Sequence, residues 1–104
     1  MGRKSHLALL REFKRKLGHH TKIEQMILFG SRARGKAREW SDFDLIVVSK
    51  AFEGKRFRYR ALGFRKEWDL NYPVDFLCYT PKEFRTLAKE PSVVSEALRE
   101  GISI

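Results

Sequence analysis

Two aspartates, separated by one residue, lead directly into an apolar segment, and this feature constrains the fold most. Residues 45–48 read LIVV and are apolar on both faces, which predicts a central strand within 41–49. Residues i and i+2 of a strand share a face, so Asp42 and Asp44 should point to the same side. Two neighbouring carboxylates repel each other, and a divalent cation between them is the usual compensation.

A Gly-Ser turn precedes this pair, with ten residues, 32–41, in between. Gly30 and Ser31 follow a predicted strand over 23–29, and such a turn can offer backbone N–H groups and a hydroxyl to phosphate oxygens. We expect a short helix over 31–37, whose N-terminal amides would favour a bound anion. Asp75 interrupts a third apolar strand, 74–79, where an unpaired carboxylate would be costly. The pattern predicts a phosphate-binding turn beside a carboxylate site.

The remaining segments predict helices around these strands. Apolar spacing indicates a basic amphipathic helix over 5–17 and a second one whose core stripe is Phe57, Ala61, Phe64 and Trp68. The segment 80–83, TPKE, forms a capping box for a helix that ends near residue 89. Ser92 can begin a last helix to residue 101, followed by a short edge strand, 102–104. We predict a single α/β (α+β) domain over 1–104, with a small mixed sheet of three to four strands flanked by helices.

Composition excludes several classes of protein. Of the 104 residues 42% are apolar, which favours a folded globule, and the one cysteine, Cys78, rules out an intrachain disulfide. No apolar stretch is long enough to span a membrane and no secretory signal is visible, so we expect a cytoplasmic protein. The net charge of +9 arises entirely within residues 1–38, where eleven Lys and Arg face two acids. That half suits a polyanionic ligand, or it is simply a solvated helix face.

The motif GSRARGKAREWSDFDL, residues 30–45, with VDFLCY, residues 74–79, resembles the nucleotidyltransferase superfamily that includes DNA polymerase beta. Within it, the ten-residue spacing is similar to that of the minimal (MNT-type) nucleotidyltransferase domains, and the likeness covers most of the chain. The resemblance implies a polymerase beta-like fold and Mg²⁺-dependent transfer of AMP from ATP to a hydroxyl. It implies catalytic and metal-binding roles for Asp42, Asp44 and Asp75, and nucleotide-binding roles for Gly30, Ser31 and Arg32. Further residues that could line the pocket are Arg34, Trp40, Asn71 and Tyr72.

The acceptor is the open part of this interpretation. In the minimal family the partner is typically a HEPN-type helical toxin, so the resemblance implies an antitoxin that adenylylates a partner tyrosine within a hetero-oligomer. One alternative is a non-catalytic antitoxin that acts by contact alone, although binding needs no cluster of acids. Another is transfer to RNA or a small molecule, with the basic first helix contacting nucleic acid. That helix lacks the interleaved aromatic residues that a single-strand platform requires.

Overall fold

The computed structural model describes residues 3–38 and 41–104. Within these ranges the chain forms one α-helix, three strands, two α-helices and a last strand, in that order. The helices are α1 (Arg3–Leu17), α2 (Pro81–Ala88) and α3 (Val93–Glu100). The strands are β1 (Gln25–Phe29), β2 (Phe43–Val48), β3 (Val74–Tyr79) and β4 (Ile102–Ser103). This α+β architecture confirms the predicted fold class, and every predicted strand is present, the third with the predicted bounds and the other three with shorter ones.

The four strands form one mixed sheet in the order β3-β2-β1-β4. β1 pairs antiparallel with both β2 and β4, whereas β2 and β3 are parallel and in register from the pair Phe43 and Val74 onwards. β2 therefore has a strand on each side, as its apolar sequence predicted. The parallel register also brings Asp44 directly beside Asp75.

Strand alternation gives the sheet two different faces. The closed face carries an aromatic and aliphatic core packed against α1, from Phe43, Leu45, Val47, Val74, Phe76 and Cys78. The other face, called the open face because one end of it is uncovered, carries two kinds of residue. Its apolar residues pack against α2 and α3, and its uncovered end carries Asp44 and Asp75; the apolar residues are Ile46, Val48, Leu77 and Tyr79. The closed face is apolar throughout, whereas the open face changes from apolar to acidic along the same two strands.

Both short helices begin at the predicted caps. Thr80 accepts a hydrogen bond from Glu83 N, and the Glu83 side chain accepts one from Thr80 N, which completes a capping box with proline at the first turn. Ser92 caps α3 in the same way with Ser95 as its partner. These local signals were sufficient because each satisfies the free amides of its own helix.

Two predicted helices do not form. Residues 31–35 make a turn only, in which Arg34 N donates to Gly30 O, and Gly35 then takes a φ of +73°, which α-helical backbone does not allow. Between 57 and 68 the chain forms one 3₁₀ turn, Phe57–Tyr59, and further turns. Of the predicted stripe, Phe64 is buried and Ala61 and Trp68 pack against the core, but Phe57 is 47% exposed. The prediction of a core role for Phe57 was wrong.

Two further findings concern membrane-spanning helices and the cysteine. No helix in the described ranges is both long and apolar enough to cross a membrane. Cys78 is a free cysteine within the closed-face core, and burial raises the pKa of its thiol to about 12. The thiol is therefore protonated at neutral pH and packs as a small apolar group.

Candidate active site

Asp44 and Asp75 form the centre of the candidate site. They are neighbours in the parallel register of β2 and β3, where adjacent strands lie about 4.8 Å apart. Both point to the open face, since each is two residues away from an open-face apolar residue, Ile46 or Leu77. Asp44 is half-buried and Asp75 is exposed. The structure therefore brings together these two predicted residues, with one side of the pair accessible to a ligand.

Asp42 lies just before β2 and is exposed, so it precedes the strand rather than opening it as predicted. It is nonetheless close enough to act on Asp44. The pKa of Asp44 is raised by partial burial, then by the negative charges of Asp75 and of Asp42. All three predicted acids thus share one electrostatic environment, which a bound cation would relieve.

Gly30 lies directly against Asp44 of this acidic pair. It follows β1, whose last residue, Phe29, is the register partner of Asp44. Gly30 has a φ of +76°, and a Cβ placed on it would lie 2.5 Å from Asp44 Oδ2. Only glycine combines this conformation with this approach. Ser31 follows, half-buried, at the start of the turn.

Arg32 has a position that the sequence did not reveal. Arg32 is only 8% exposed. The central carbon of its guanidinium lies 4.3 Å from the centre of the Phe43 ring and 4.6 Å from that of the Tyr72 ring. Arg32 Nε and Nη2 both donate to the carbonyl of Ser41, at 3.1 and 2.8 Å. Arg32 thus connects the Gly30 turn to the residue before Asp42. This placement supports a positioning role, while the predicted contact with nucleotide stays a prediction.

A small cavity of about 170 Å³ adjoins the turn on the side of α3. Its lining includes Phe29, Gly30, Val93 and Ala97. Arg34 closes one side through ion pairs with Glu96 (3.9 Å) and Glu100 (3.7 Å) of α3. In this arrangement the charge of Arg34 faces α3 carboxylates, so it helps to hold the turn against the helix.

The other open candidates divide into three cases. Tyr72 is half-buried and packs edge-on against Phe43 at 5.4 Å, so it supports the closed-face core. Asn71 is exposed beside it. Trp40 lies outside the described residues.

The acidic set suits a hard divalent cation that is shared with phosphate. Within 3–38 and 41–104, no three His, Cys, Asp or Glu side chains form a group that would hold a metal ion unaided. Mg²⁺ seldom needs such a group, because it usually takes one or two carboxylates plus water and substrate phosphate oxygens. The mutual repulsion at Asp44 and the adjoining Gly30 turn fit that mode of binding.

Comparison with known proteins agrees with this geometry. The model of the family described as "Nucleotidyltransferase domain" matches residues 9–104. A Haemophilus influenzae protein, "Probable protein adenylyltransferase MntA", is 37% identical over 68 residues, which are 64% of this chain and 60% of that protein. The aligned region thus spans about three fifths of the relative's length. These findings confirm the resemblance to nucleotidyltransferases.

The fold itself is shared with a solved structure. The crystal structure of a Sulfolobus solfataricus protein that is inferred to be a nucleotidyltransferase superposes with a TM-score of 0.69 at 20% identity. The superposition covers 97% of this chain and 80% of the other. The sheet and its helices are therefore common to both proteins.

Proposed function

Because the chain belongs to the nucleotidyltransferase domain family, we propose that it transfers AMP from ATP to a hydroxyl group of a partner protein. One observation carries the proposal: Asp44 and Asp75 lie side by side on an open sheet face, against a glycine turn. The similarity to a protein described as an adenylyltransferase supports a protein acceptor.

The residues of the site divide the work of such a transfer. The Gly30 and Ser31 turn would hold the β- and γ-phosphates through backbone and hydroxyl contacts. Asp42, Asp44 and Asp75 would hold Mg²⁺ together with the triphosphate. When bound, the ion would neutralise charge on the phosphates and orient them for in-line displacement.

Asp75 is suited to the acceptor side of the reaction because it is the more exposed member of the central pair. Its carboxylate would take the proton of the acceptor hydroxyl as that oxygen bonds to the α-phosphorus. The bond from the α-phosphorus to the bridging oxygen breaks at the same time, and pyrophosphate leaves with the electron pair. Asp44, more buried, would stay ionised when a cation offsets its neighbours.

We further propose that the acceptor is a tyrosine of a HEPN-type helical toxin, bound in a hetero-oligomer, and that this protein acts as its antitoxin in the cytoplasm. The MNT-type motif at residues 30–45 supports that assignment. A tyrosine of a folded partner needs an accessible carboxylate, and the exposure of Asp75 provides one.

The decisive experiment measures label transfer from α-³²P-ATP to the product of the neighbouring gene, the expected HEPN-type partner, with Mg²⁺ present. The isosteric variant Asp44→Asn should lose at least about a hundredfold in rate, because it removes a negative charge that would hold Mg²⁺ at the reacting phosphates. Asp69→Asn serves as the matched control, since Asp69 is exposed and pairs with Lys16 instead.

Near-normal transfer by Asp44→Asn would refute the assignment of the acids. If Asp44→Asn neutralised the toxin as well as the wild type does, contact alone would account for the antitoxin effect. Absence of label on the toxin, with transfer to RNA in the same extract, would refute the protein acceptor.

A further inference from the structure

Basic and aromatic residues alternate in one exposed segment that the proposed function does not use. Residues 55–60 read KRFRYR, and no acid occurs between Glu53 and Glu67. Six cations fall in that interval: Lys55, Arg56, Arg58, Arg60, Arg65 and Lys66. The segment is as basic as any in the chain, and it carries exposed aromatic rings between the charges, whereas Phe13 of α1 is buried.

Both rings of the segment face solvent. Phe57 is 47% exposed and Tyr59 is 49% exposed, within a single 3₁₀ turn. The guanidinium of Arg58 lies 4.8 Å from the centre of the Tyr59 ring, so charge and ring form one surface. Large aromatic side chains left in water are a cost unless a ligand covers them.

Arg60 fixes this turn to the edge of the sheet. Its guanidinium donates to the carboxylate of Glu83 and to the carbonyl of Cys78, and its Nε donates to Lys55 O. The turn is therefore held in place, and Phe57 is kept against Tyr79 with 5.6 Å between ring centres. Beside these rings lies a depression of about 380 Å³, which is also lined by Lys82, Thr86, Leu87 and Glu83, the carboxylate that Arg60 pairs with.

We propose that this aromatic–basic surface, residues 55–60 with Tyr79 and Lys82, binds single-stranded nucleic acid. Bases stack on exposed aromatic rings irrespective of sequence, and neighbouring cations follow the phosphates. Arginine held over a ring adds a cation–π contribution to such stacking. The unbroken run of positive charge favours a polyanion over a protein partner.

The position of Tyr79 relates this surface to the carboxylates. Tyr79 and Asp75 share β3, an edge strand, and they lie four positions, or about 13 Å, apart along it. A strand of nucleic acid along this edge would pass close to the acidic site. The inference requires no transfer reaction, because binding needs neither ATP nor Mg²⁺.

The basic residues of α1, together with Lys22 after it, offer an internal control. Arg11, Lys14, Arg15 and Lys22 line another depression of about 380 Å³, without any aromatic ring in its lining. Arg15 is paired with Glu12, and Lys14 donates to Ile104 O. This second surface offers general electrostatic attraction only.

The test is fluorescence anisotropy of a labelled single-stranded RNA of about twelve nucleotides, within the usual site size, with a DNA strand and an RNA duplex of equal length. Phe57→Ala and Tyr59→Ala should each raise Kd for the single strands at least about fivefold, the loss expected from one stacking ring. Phe57→Leu should weaken binding like Phe57→Ala, whereas Phe57→Tyr and Tyr59→Phe should bind as the wild type does. The duplex should bind more weakly than either strand.

Charge is tested separately through salt dependence. Arg56→Ala with Arg58→Ala should reduce the slope of log Kd against log salt by about 1.4, or about 0.7 per lost cation. Arg11→Ala with Lys22→Ala should change the slope less, because that surface adds only general attraction. Circular dichroism of each variant verifies folding, and exposed positions make loss of the fold unexpected.

Equal binding by the wild type and the alanine variants of both rings would overturn the inference, since attraction to the chain would then be general. Loss of HEPN-protein binding in those variants, with RNA binding unchanged, would also overturn it and assign the surface to that protein. Asp44→Asn should bind RNA like the wild type, so failure of this inference and failure of the proposed transfer are separate results.

Discussion

The two faces of the sheet use the same strands for opposite purposes. On the closed face, Phe43 is fully buried against Trp68 and Tyr72, with its register partner Val74 beside it. On the open face, one residue further along each strand, Asp44 and Asp75 repel each other across the same register. One face has optimised packing, whereas the other retains charge repulsion.

This difference shows how a small domain can tolerate an unfavourable site. The closed-face core draws on α1 and on β1, β2 and β3, with Phe52 and Phe64, and holds most of the buried apolar residues. The acids are confined to the ends of two strands, where water screens part of their repulsion. The stabilising and the functional residues therefore alternate along β2, and substitutions at neighbouring positions should have opposite consequences.

The largest expected effect is on the closed face. Phe43→Ala should lower the free energy of unfolding by about 3–5 kcal/mol, because it removes a fully buried ring and leaves a cavity. Urea unfolding measures this loss. Leu77→Ala, at a half-buried position on the open face, is the matched control and should cost less. An equal cost for the two would contradict the contrast between the faces.

The next effect concerns the glycine that contacts Asp44. A residue with a side chain in the left-handed conformation is expected to lower the free energy of unfolding by about 1–2 kcal/mol. Gly30→Ala should lower it further, because the new Cβ would also lie 2.5 Å from Asp44 Oδ2. Gly54→Ala isolates the backbone contribution, because Gly54 has a φ of +79° and no atom within 4 Å of an added Cβ. Thermal unfolding of both variants gives the difference. Equal losses would mean that the contact with Asp44 carries no energy.

A smaller effect, of opposite sign, is expected at Asp44 itself. Burial and then the charges of Asp75 and Asp42 raise the pKa of Asp44 on folding. Above that pKa the ionised carboxylate destabilises the folded state, and this cost disappears as the pH falls towards the ordinary aspartate range. At pH 7, Asp44→Asn should therefore have a higher free energy of unfolding in urea than the wild type. The gain should be up to about 1 kcal/mol, because water screens part of the repulsion.

The gain from Asp44→Asn should vanish at acid pH, where the wild-type carboxylate is protonated. Asp69→Asn, remote from this repulsion in its pair with Lys16, should show no such gain. A loss of stability in Asp44→Asn at pH 7 would contradict the predicted repulsion.

The smallest effect is expected for the contact between Arg60 and Glu83, which joins the layers on the two faces of the sheet. Arg60, from the segment beside the closed face, donates two hydrogen bonds to Glu83 of α2 on the open face. This contact lowers the pKa of Glu83. Glu83→Gln keeps a side-chain oxygen for Thr80 N but loses the charge, and should cost about 0.5 kcal/mol because the Glu83 side chain is 43% exposed.

The sign of the pH dependence follows from that lowered pKa. The contribution of Glu83 is present above its unfolded pKa and is lost as the pH falls through its folded pKa. Urea unfolding of the wild type and Glu83→Gln should therefore differ at pH 7 and converge in acid. Glu90→Gln, at an exposed position, is the control and should change little at either pH.

Local signals in the sequence were reliable where one element satisfied itself. The capping box at Thr80 and the cap at Ser92 predicted α2 and α3, because their hydrogen bonds lie within a single turn. The strands were predicted from apolar runs. The prediction of a helix over 57–68 was wrong. The apolar spacing of this segment reflects contacts of Phe64 and Trp68 with the sheet, not a continuous helix.

The sequence by itself determined the acids, the glycine turn and the strands that carry them, because alternation along a strand and the conformation of glycine are properties of the chain alone. Only the tertiary structure decided that Asp44 and Asp75 are register partners, since a parallel pair depends on contacts between distant segments. It also decided that Arg32 turns inward to Ser41 O while Phe57 remains exposed. Burial of a long side chain depends on the space its neighbours leave, and the linear sequence does not contain that space.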